Sequence, residues 1–591
     1  MAIAKEFLQL MVTPYKAAGT SAAFAPGTEE HAAARLLAES EGLRLAGDYA
    51  QAESCLKQAI ELKYDFGEAH LALGDLYAAA GADEDALDCY QLAVHFAPQL
   101  YPAHVALAGT LSRQQRHDES EAACRAAISL NEAGSDAWFT LGNVLKAAGD
   151  LPAAADAYRT AVRAVPPDLD ALHQLAFVES RLGRYEEAYQ NFQRLLDVVP
   201  DSPRAHHNFG LWQLECGYAE EALASFRRAH ALQPEEPASL ACIGHALRDL
   251  ARLDEAIATY DKVLATQADF ADVVGNRSQA LLMRADWPAG WDAYEQRFGP
   301  GGAQARTRSL PRWRGMPLSG KKIVVLPEQG IGDEILFASC LPDLIATAGA
   351  CVVECNARLV KLFARSFPKA QVCAADTKAT TASTMTDFEI SAGSLPQQFR
   401  RDTAAFPKHA GYLKVDTVRQ IFWRDSGLLA DARIRIGMAW RGGTLRNRQY
   451  LRSLNLPDFL PVLQTPDCAF ISLQHGDYAD EIHTLRERQG IDLQMPQFNI
   501  ATDLDELAAM ISALDLVITV DNTIANLAGA LGVPVWVLLP FSAEWRYGLN
   551  AETMPWYPSA RLFRQLRPRA WIPVIDCVAV ALRNFSPQAC A

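Results

Sequence analysis

The sequence has no long apolar run and no surplus of positive charge. No stretch approaches the roughly 20 consecutive apolar residues that a membrane-spanning helix needs, so we expect no membrane insertion. Its 55 basic residues are outnumbered by 70 acidic ones, for a formal net charge of −15. That balance argues against nucleic acid as the main partner. The N-terminus shows one lysine, the short FLQLMV and no small-residue cleavage site. We therefore expect no secretory signal and predict a cytoplasmic protein.

Cysteine is present without pairing patterns. The 12 cysteines are scattered and none stands in a CxxC pair. Cys351 and Cys355 lie close together, but on a predicted strand. Buried, reduced thiols are therefore favoured over disulfides or metal ligands, and we predict no metal site.

A repeat of 34 residues is the most regular feature of the chain. A length of 591 residues allows several domains, since single cores rarely grow beyond about 300 residues. Residues 1–32 form an uninformative N-terminal segment. Repeats then start without insertion at Ala33, Gly67, Tyr101, Ser135, Leu169, Pro203, Pro237 and Ala271. The period predicts a solenoid of helix pairs over residues 33–300.

Equivalent places in the repeat carry equivalent residues. Glycines at the eighth and fifteenth places, alanine at the twentieth and an aromatic at the twenty-fourth recur, as in Gly142, Gly149, Ala154 and Tyr158. This pattern resembles tetratricopeptide repeats, and the resemblance implies a concave face that holds a peptide or an acceptor protein. The repeat at Tyr101 lacks the glycines and the alanine. The last repeat carries Trp287 and Trp291 instead, as a capping repeat that docks onto another part would.

A glycine-containing loop follows the first strand of a predicted α/β lobe at residues 301–430, beyond a linker at Gly299–Gly302. Strand Lys322–Leu326 leads into PEQGIGDE. This loop does not match GxGxxG, so a dinucleotide is not expected. Glu328 and Asp333 lie at the strand's carboxyl end and are predicted to act on a substrate hydroxyl as base or hydrogen-bond acceptor. Loop hydrogen bonding and helix N-capping are their alternative roles.

Arginines gather in a second predicted lobe at residues 431–591. Strand Arg435–Trp440 opens into the loop RGGTLRNRQYLRS. Guanidinium groups on loops suit a phosphate or diphosphate; the arginines concerned are Arg441, Arg446, Arg448, Arg452 and Arg561. The DLD run at Asp503–Asp505 lies at a helix start, so helix capping is favoured over metal binding.

The stretch Asp515–Pro540 predicts the core of a parallel sheet. We expect a strand at Leu516–Thr519, a helix at Thr523–Leu531 and a strand at Val535–Leu538. Asp521 and Asn522 fall at the carboxyl end of the first strand, where such sheets bind ligands. Thr523 is predicted to cap the helix, whose N-terminus suits a phosphate. The alternative is that Asp521 is only a cap.

Three aromatic residues follow this unit, and the sequence leaves their role open. Trp545, Trp556 and Tyr557 are placed either to stack on a base or sugar ring or to pack against the closing helix, predicted at Ala570–Arg583.

Two such lobes look like the GT-B architecture of nucleotide-sugar glycosyltransferases. The motifs EQGIGDEILFASCLP, GMAWRGG, SLQHGD and DLVITVDNTIANLAGALG resemble tetratricopeptide-fused relatives of the heptosyltransferase family. The nearest type is the flagellin O-glycosyltransferase of alphaproteobacteria. The resemblance implies an α-solenoid followed by an α/β GT-B fold with two Rossmann-like lobes.

The resemblance also implies roles for individual residues. Asp333 matches the proposed catalytic base, with Glu328 as the other candidate. Donor-binding roles fall on Gly332, Trp440, Arg441, Gly442, Arg452, Gln474, Asp521, Asn522, Thr523 and Asn526. The family's usual histidine is replaced by Asn526, which donates a hydrogen bond but carries no charge. No cofactor is implied beyond the nucleotide-sugar co-substrate, and transfer is expected to be metal-independent.

The implied function is transfer of a sugar to Ser or Thr of an acceptor protein that the repeats recruit, with flagellin as the most specific acceptor. A CMP-linked nonulosonic acid such as pseudaminic acid is one donor that fits this acceptor. Two alternatives stay open. One is a transferase acting on a glycan or lipopolysaccharide, and the other is a non-catalytic, peptide-binding chaperone.

Overall fold

The computed structural model describes residues 29–164, 168–298, 310–375, 386–426, 434–443 and 449–587. The N-terminal segment up to residue 28, the linker Gly299–Gly302 and the arginines Arg446 and Arg448 lie outside the described residues. The chain forms two compact units, Met1–Ala205 and His206–Ala591.

The first unit consists of helices that pair along the chain, as the repeat predicts. They are α1 (Glu29–Ala46), α2 (Tyr49–Leu62), α3 (Gly67–Ala79), α4 (Asp83–Phe96), α5 (Tyr101–Arg113), α6 (His117–Leu130), α7 (Ser135–Ala148), α8 (Leu151–Ala161), α9 (Leu169–Arg181) and α10 (Tyr185–Val198). The boundary between the units falls inside α11 (Pro203–Glu215). Helix pairs with one apolar stripe each must stack to bury it, which explains the array.

The aromatic ring at the twenty-fourth place of a repeat leaves no room for a side chain at the eighth place, so glycine stands there. A Cβ on Gly142 would lie 2.5 Å from the Tyr158 ring, so α7 and α8 approach closely only because that side chain is missing. The repeat at Tyr101 needs no glycine there, because the small Cys124 replaces the ring and lies buried near Ala108. Its departure from the pattern is therefore a change of packing partners.

The turn within each pair keeps one backbone conformation whatever the residue. Gly149 ends α7 in the left-handed region with φ 89°, and Gln115 takes φ 61° at the equivalent place after α5. The backbone hydrogen bonds of this turn, from Gln115 N–H to the Ser112 carbonyl and from Arg116 N–H to the Leu111 carbonyl, hold Gln115 in a conformation that favours glycine.

The second unit begins with further helix pairs and continues into α/β structure. The helices are α12 (Ala219–Leu232), α13 (Pro237–Asp249), α14 (Leu253–Thr266), α15 (Ala271–Met283) and α16 (Trp287–Tyr294), followed by a 3₁₀ helix at Glu295–Phe298.

Two regions of alternating strands and helices complete this unit. The first holds β1 (Lys322–Leu326), α17 (Ile331–Ala338), α18 (Leu341–Thr347), β2 (Ala350–Cys355), α19 (Val360–Ser366), β3 (Gln371–Ala374), β4 (Phe388–Ser391), α20 (Leu395–Phe399) and α21 (Thr417–Asp425). The second holds β5 (Ile434–Ala439), α22 (Leu460–Leu463), β6 (Cys468–Ser472), α23 (Ala479–Gln489), β7 (Leu493–Gln494), α24 (Leu504–Ile511), β8 (Leu516–Val520), α25 (Thr523–Leu531), β9 (Val535–Leu539), β10 (Ala560–Arg564) and α26 (Ile572–Arg583).

All the described strand pairs are parallel, and they form two sheets. The first sheet has the order β3-β2-β1-β4, and the second β10-β9-β8-β5-β6-β7. The second order is that of a doubly wound sheet whose direction of winding reverses between β5 and β8. In the first sheet the reversal lies between β1 and β4. Ligands of such sheets bind at the carboxyl ends of the strands beside these reversals.

The prediction that the last repeat docks onto another part of the chain is confirmed. Trp291 is fully buried, and its indole N–H donates to the Arg400 carbonyl at 2.9 Å. Its ring meets those of Trp545 and Trp556 edge-on, at centroid distances of 5.5 and 6.3 Å. Trp287 donates to Thr403 Oγ1 at 3.0 Å. Helix α16 is thus packed against both α/β regions.

Two sequence predictions need correction here. Trp545, Trp556 and Tyr557 are buried, and the two tryptophans pack against α16, so neither ring stacking on a ligand nor packing on α26 describes them. Arg561 lies on strand β10 rather than on a loop, with a half-exposed side chain over Phe563.

Smaller differences concern the first sheet and the ends of elements. Strands β4 and β10 were not predicted. The helical stretch after the loop is divided at Cys340 into α17 and α18, because Pro342 supplies no N–H for a continuous helix. Asp503 caps α24 by accepting from Glu506 N, and Asp505 pairs with Arg365, which confirms the capping interpretation of the DLD run.

The state of the thiols agrees with the expectation above. The 11 cysteines in the described residues are free, and most of them are buried. Among the helices that the structure describes, none is both long and apolar enough to cross a bilayer.

The glycine–ring contact makes a matched pair of substitutions informative. Gly142→Ala forces a Cβ into the Tyr158 ring, and we expect it to lower the free energy of unfolding by about 1–3 kcal/mol. Gly109→Ala, on α5, meets no atom within 4 Å, and we expect it to be neutral or to stabilise by up to about 1 kcal/mol through helix propensity. Circular dichroism melts of the full chain measure both, and equal melting temperatures would contradict the packing rule.

Candidate active site

The loops that follow β1, β5, β8 and β9 meet at the carboxyl edges of the two sheets. The charged junction, as we name it, consists of Asp333, Arg452, Asp521, Glu544, Arg546 and Tyr547. It lies beside the reversal points of both sheets. Ligands of doubly wound sheets bind at such points.

Asp521 is the buried centre of the charged junction. Its side chain is 3% exposed, directly beyond the end of β8. Arg452 Nη1 donates to its Oδ2 at 2.8 Å, and the Tyr547 hydroxyl donates to its Oδ1 at 2.8 Å. Asp521 does not cap α25, so the interpretation of this residue as a mere cap is excluded by the geometry.

Arg546 joins the two sheets. Its Nη2 donates to Asp333 Oδ1 at 2.7 Å, while its Nη1 lies 3.7 Å from Asp521 Oδ1. Arg546 belongs to a short 3₁₀ helix, Trp545–Tyr547, that follows β9, and Asp333 lies in the first turn of α17. The predicted base of the first sheet is therefore held by a residue of the second.

The charges of the junction are balanced by close opposite charges. Arg452 also donates through Nη2 to Glu544 at 2.5 Å. Burial acts to raise the pKa of Glu544, but Arg546 and Arg452 lower it below its ordinary value. Burial raises the pKa of Asp521, and the same two arginines oppose that rise. Three carboxylates thus share two guanidinium groups.

Helix α25 begins beside this cluster. Asn522, not the predicted Thr523, is its cap: Asn522 Oδ1 accepts from the backbone N–H groups of Ile524 and Ala525. Asn526 is buried and accepts from the Tyr557 hydroxyl at 3.1 Å. Its amide has structural partners, since Nδ2 donates to the Asn522 carbonyl at 3.3 Å.

Gly332 lets the two sheets approach each other. A Cβ at this position would lie 3.1 Å from Asn526 Nδ2 and 3.6 Å from Thr523 Oγ1. The start of α17 therefore packs directly on the start of α25. The sequence predicted these residues as donor-binding, and the structure brings them together as a close contact between helix ends.

The loop after β5 is shaped by residues that were predicted to bind the donor. Gln474 Oε1 accepts from the backbone N–H groups of Trp440 and Arg441 at 3.0 and 2.8 Å. Trp440 is fully buried and its indole N–H points to Glu481. Arg441 also pairs with Glu481, away from Asp521. Gly442 is needed because a Cβ there would lie 2.4 Å from the Asp521 carbonyl oxygen.

Of the two candidate bases, Glu328 is the one whose carboxylate is more completely bound by a neighbouring side chain. Arg297, from the 3₁₀ helix after the last repeat, binds it through two nitrogens at 2.9 and 3.2 Å. Burial raises the pKa of Glu328, and the Arg297 charge opposes that rise. The carboxylate also fills the space beside Gly393, where a Cβ would clash with it. Asp333, in contrast, faces the other sheet.

Sequence reasoning missed Glu544, Arg546 and Tyr547. They lie in FSAEWRYG, directly after β9. Trp545 was the one residue of this segment for which a role was predicted. A usable signal was present, because an Arg and a Glu following a fully buried parallel strand stand at the same sheet edge as Asp521.

Comparison with known families identifies the repeats. Models described as tetratricopeptide repeat match residues 31–101, 105–168, 145–208 and 240–270. The chain carries a tetratricopeptide-repeat array. Repeats of this type bind proteins and peptides, so a protein-binding role for this region is supported.

One curated relative is Protein FlbA of Caulobacter vibrioides. It is 33% identical over 335 residues, which is 54% of this chain and 56% of FlbA. The match therefore spans little more than half of the relative's length, and its name states no activity.

Solved structures also match part of the chain. A crystal structure of MamA is 22% identical and covers 28% of this chain and 91% of its own, with a TM-score of 0.26. The Cut9–Hcn1 assembly is 16% identical and covers 45% of this chain and 53% of its own, with a TM-score of 0.34. At these scores neither match bears on function.

The buried charge cluster gives a stability prediction. Arg452→Met leaves Asp521 without its closest countercharge, and we expect a loss of about 3 kcal/mol in the free energy of unfolding. Asp521→Asn combined with Arg452→Met is expected to lose clearly less than the two single changes added together.

Arg561→Met is the matched control for this cycle. Its side chain is 48% exposed, so a loss of no more than about 1 kcal/mol is expected. Chemical denaturation followed by tryptophan fluorescence measures all four variants. Strictly additive losses would show that Arg452 and Asp521 do not depend on each other.

Proposed function

We propose that this chain is a protein O-glycosyltransferase whose repeats recruit an acceptor protein. The two parallel sheets would be the N- and C-terminal lobes of a GT-B transferase, with the charged junction as its active site. One observation carries the proposal: Asp333 and the pair Arg452 and Arg546 converge at the carboxyl edges of two doubly wound sheets. A carboxylate beside two guanidinium groups is the set of charges that base-assisted attack on a sugar phosphate requires.

The proposed chemistry assigns one step to each group. Asp333 accepts the proton of an acceptor hydroxyl while the oxygen of that hydroxyl forms a bond to the anomeric carbon of the donor sugar. The bond between that carbon and the phosphate oxygen breaks, and the nucleotide leaves with the bonding electrons. Arg452, together with the positive end of the α25 helix dipole, stabilises the negative charge that develops on the phosphate. No cofactor enters the proposal, which follows the resemblance in being metal-independent.

Asp333 is favoured over Glu328 as the base. Glu328 is 13% exposed and bound at both oxygens by Arg297. Asp333 is 21% exposed, and its interactions are a single short hydrogen bond from Arg546 and a long one from the Gly330 N–H at 3.4 Å. A base must exchange protons with a substrate, and Asp333 is the more accessible of the two.

The acceptor is proposed to be a protein with Ser or Thr hydroxyls, most specifically flagellin, bound on the concave face of the repeats. Tetratricopeptide repeats support a protein partner. The donor is a nucleotide sugar, with a CMP-linked nonulosonic acid as the specific case, and the reaction is assigned to the cytoplasm. A glycan or lipid acceptor has no specific observation in its favour.

The proposal is tested by the intact mass of flagellin co-expressed with this protein and the sugar-biosynthesis enzymes. We expect a sugar-sized increment with the wild type, and a rate lower by about 100-fold or more with Asp333→Asn, since general-base catalysis contributes at least that factor. Asp576→Asn, an exposed change on α26, should leave the increment intact.

Two outcomes would count against the proposal. Full activity of the Asp333→Asn variant would remove Asp333 as the base, and Glu328→Gln would then be tested in the same assay. No increment with the wild type, together with flagellin binding by the full chain, would favour a peptide-binding chaperone instead.

A further inference from the structure

Arg546 is buried but uses few of its hydrogen-bond donors. A guanidinium group has five N–H donors, yet Arg546 makes one short hydrogen bond, to Asp333 at 2.7 Å, and a longer ion pair with Asp521 at 3.7 Å. Within the described residues, its Nε is buried and has no hydrogen-bond partner. Its side chain is nevertheless only 13% exposed. A buried guanidinium with unused donors is suited to take up a further anion.

Asp521 has two closer partners than Arg546. The carboxylate of Asp521 already accepts from Arg452 and from the Tyr547 hydroxyl, each at 2.8 Å. Among the residues that the structure describes, the only short bond that Arg546 makes to a carboxylate is therefore the one to Asp333. That bond links residues 213 positions apart, from loops of different sheets.

The same carboxylate is the proposed base. While Asp333 accepts a charge-assisted hydrogen bond from Arg546, one of its oxygens is occupied and its negative charge is compensated. A phosphate group bound beside Arg452 offers Arg546 a better partner, since a phosphate accepts two parallel N–H bonds. The two anions then compete for one guanidinium.

We propose that Arg546 acts as a latch: its guanidinium group binds Asp333 until a phosphate group replaces Asp333 as its partner. Binding of the phosphate draws Arg546 from Asp333 to the anion and frees the carboxylate to accept a proton. Donor binding would thus precede activation of the base. The identity of the anion as a nucleotide sugar rests on the proposed function, whereas the competition itself is a property of the charged junction.

The test uses inorganic pyrophosphate as the probe and isothermal titration calorimetry on the full-length protein at low ionic strength. We expect Asp333→Asn to bind pyrophosphate about tenfold more tightly than the wild type, because one charge-assisted hydrogen bond no longer has to be broken. Arg546→Met is expected to bind about tenfold more weakly or worse for the same reason.

The double variant separates a latch from a general effect of charge. Removing any nearby carboxylate favours an anion, so the gain from Asp333→Asn must depend on Arg546 if the latch exists. In the Arg546→Met background we expect only the smaller gain that comes from removing a negative charge. An equal gain in both backgrounds, or no gain in the wild-type background, would overturn the proposal.

Circular dichroism shows whether the Arg546→Met variant folds. If it does not fold, a second variant tests the same point. Arg546→Gln keeps N–H donors but lacks the positive charge, and the gain from Asp333→Asn should fall below about threefold in that background, since a neutral donor makes a weaker bond to a carboxylate. A gain in the Arg546→Gln background as large as that in the wild-type background would contradict the latch.

The calorimetry and the mass assay can fail separately. Loss of sugar transfer in Asp333→Asn without tighter pyrophosphate binding would keep the transferase and reject the latch. Tighter binding in a protein that transfers no sugar would keep the latch and reject the transferase.

Discussion

A carboxylate buried where two parallel sheets meet constrains the second unit of this protein. Asp521 follows β8 and is almost completely removed from water, so its charge has to be compensated by nearby donors. Arg452 and Tyr547 do this from two separate loops, and Arg546 adds a second positive charge while it reaches across to Asp333. The interaction that satisfies one buried charge therefore also fixes the relation between the two sheets.

The repeats of the second unit are part of the same packing arrangement. Helix α15 packs on the short helix that carries Arg546, and Gly548 approaches the Met283 carbonyl. Trp291 enters an aromatic cluster with Trp545 and Trp556. A partner bound along these repeats would thus lie next to the charged junction.

The candidate site could be predicted in part. Asp333 and Asp521 were singled out because they follow the carboxyl ends of predicted strands, and Arg452 was singled out as a loop arginine and through the family resemblance. The structure brings the three together. Other predicted residues contribute to the framework of the site: Gln474 and Trp440 shape a loop, while Gly332 and Gly442 permit close approach. Arg546 escaped prediction because its segment has no periodicity and its partners lie far away in sequence.

The sequence by itself determined the repeat, its helix pairs, the central strand β8 and helix α25, because each depends on a local pattern of apolar, small and turn-forming residues. Sheet order, the docking of the capping repeat and the pairing of charges were decided only by the tertiary structure. An arginine carries the same charge whatever it faces, and the contact between Arg546 and Asp333 spans 213 positions. Which carboxylate it meets depends on how the sheets pack, and no local pattern records that.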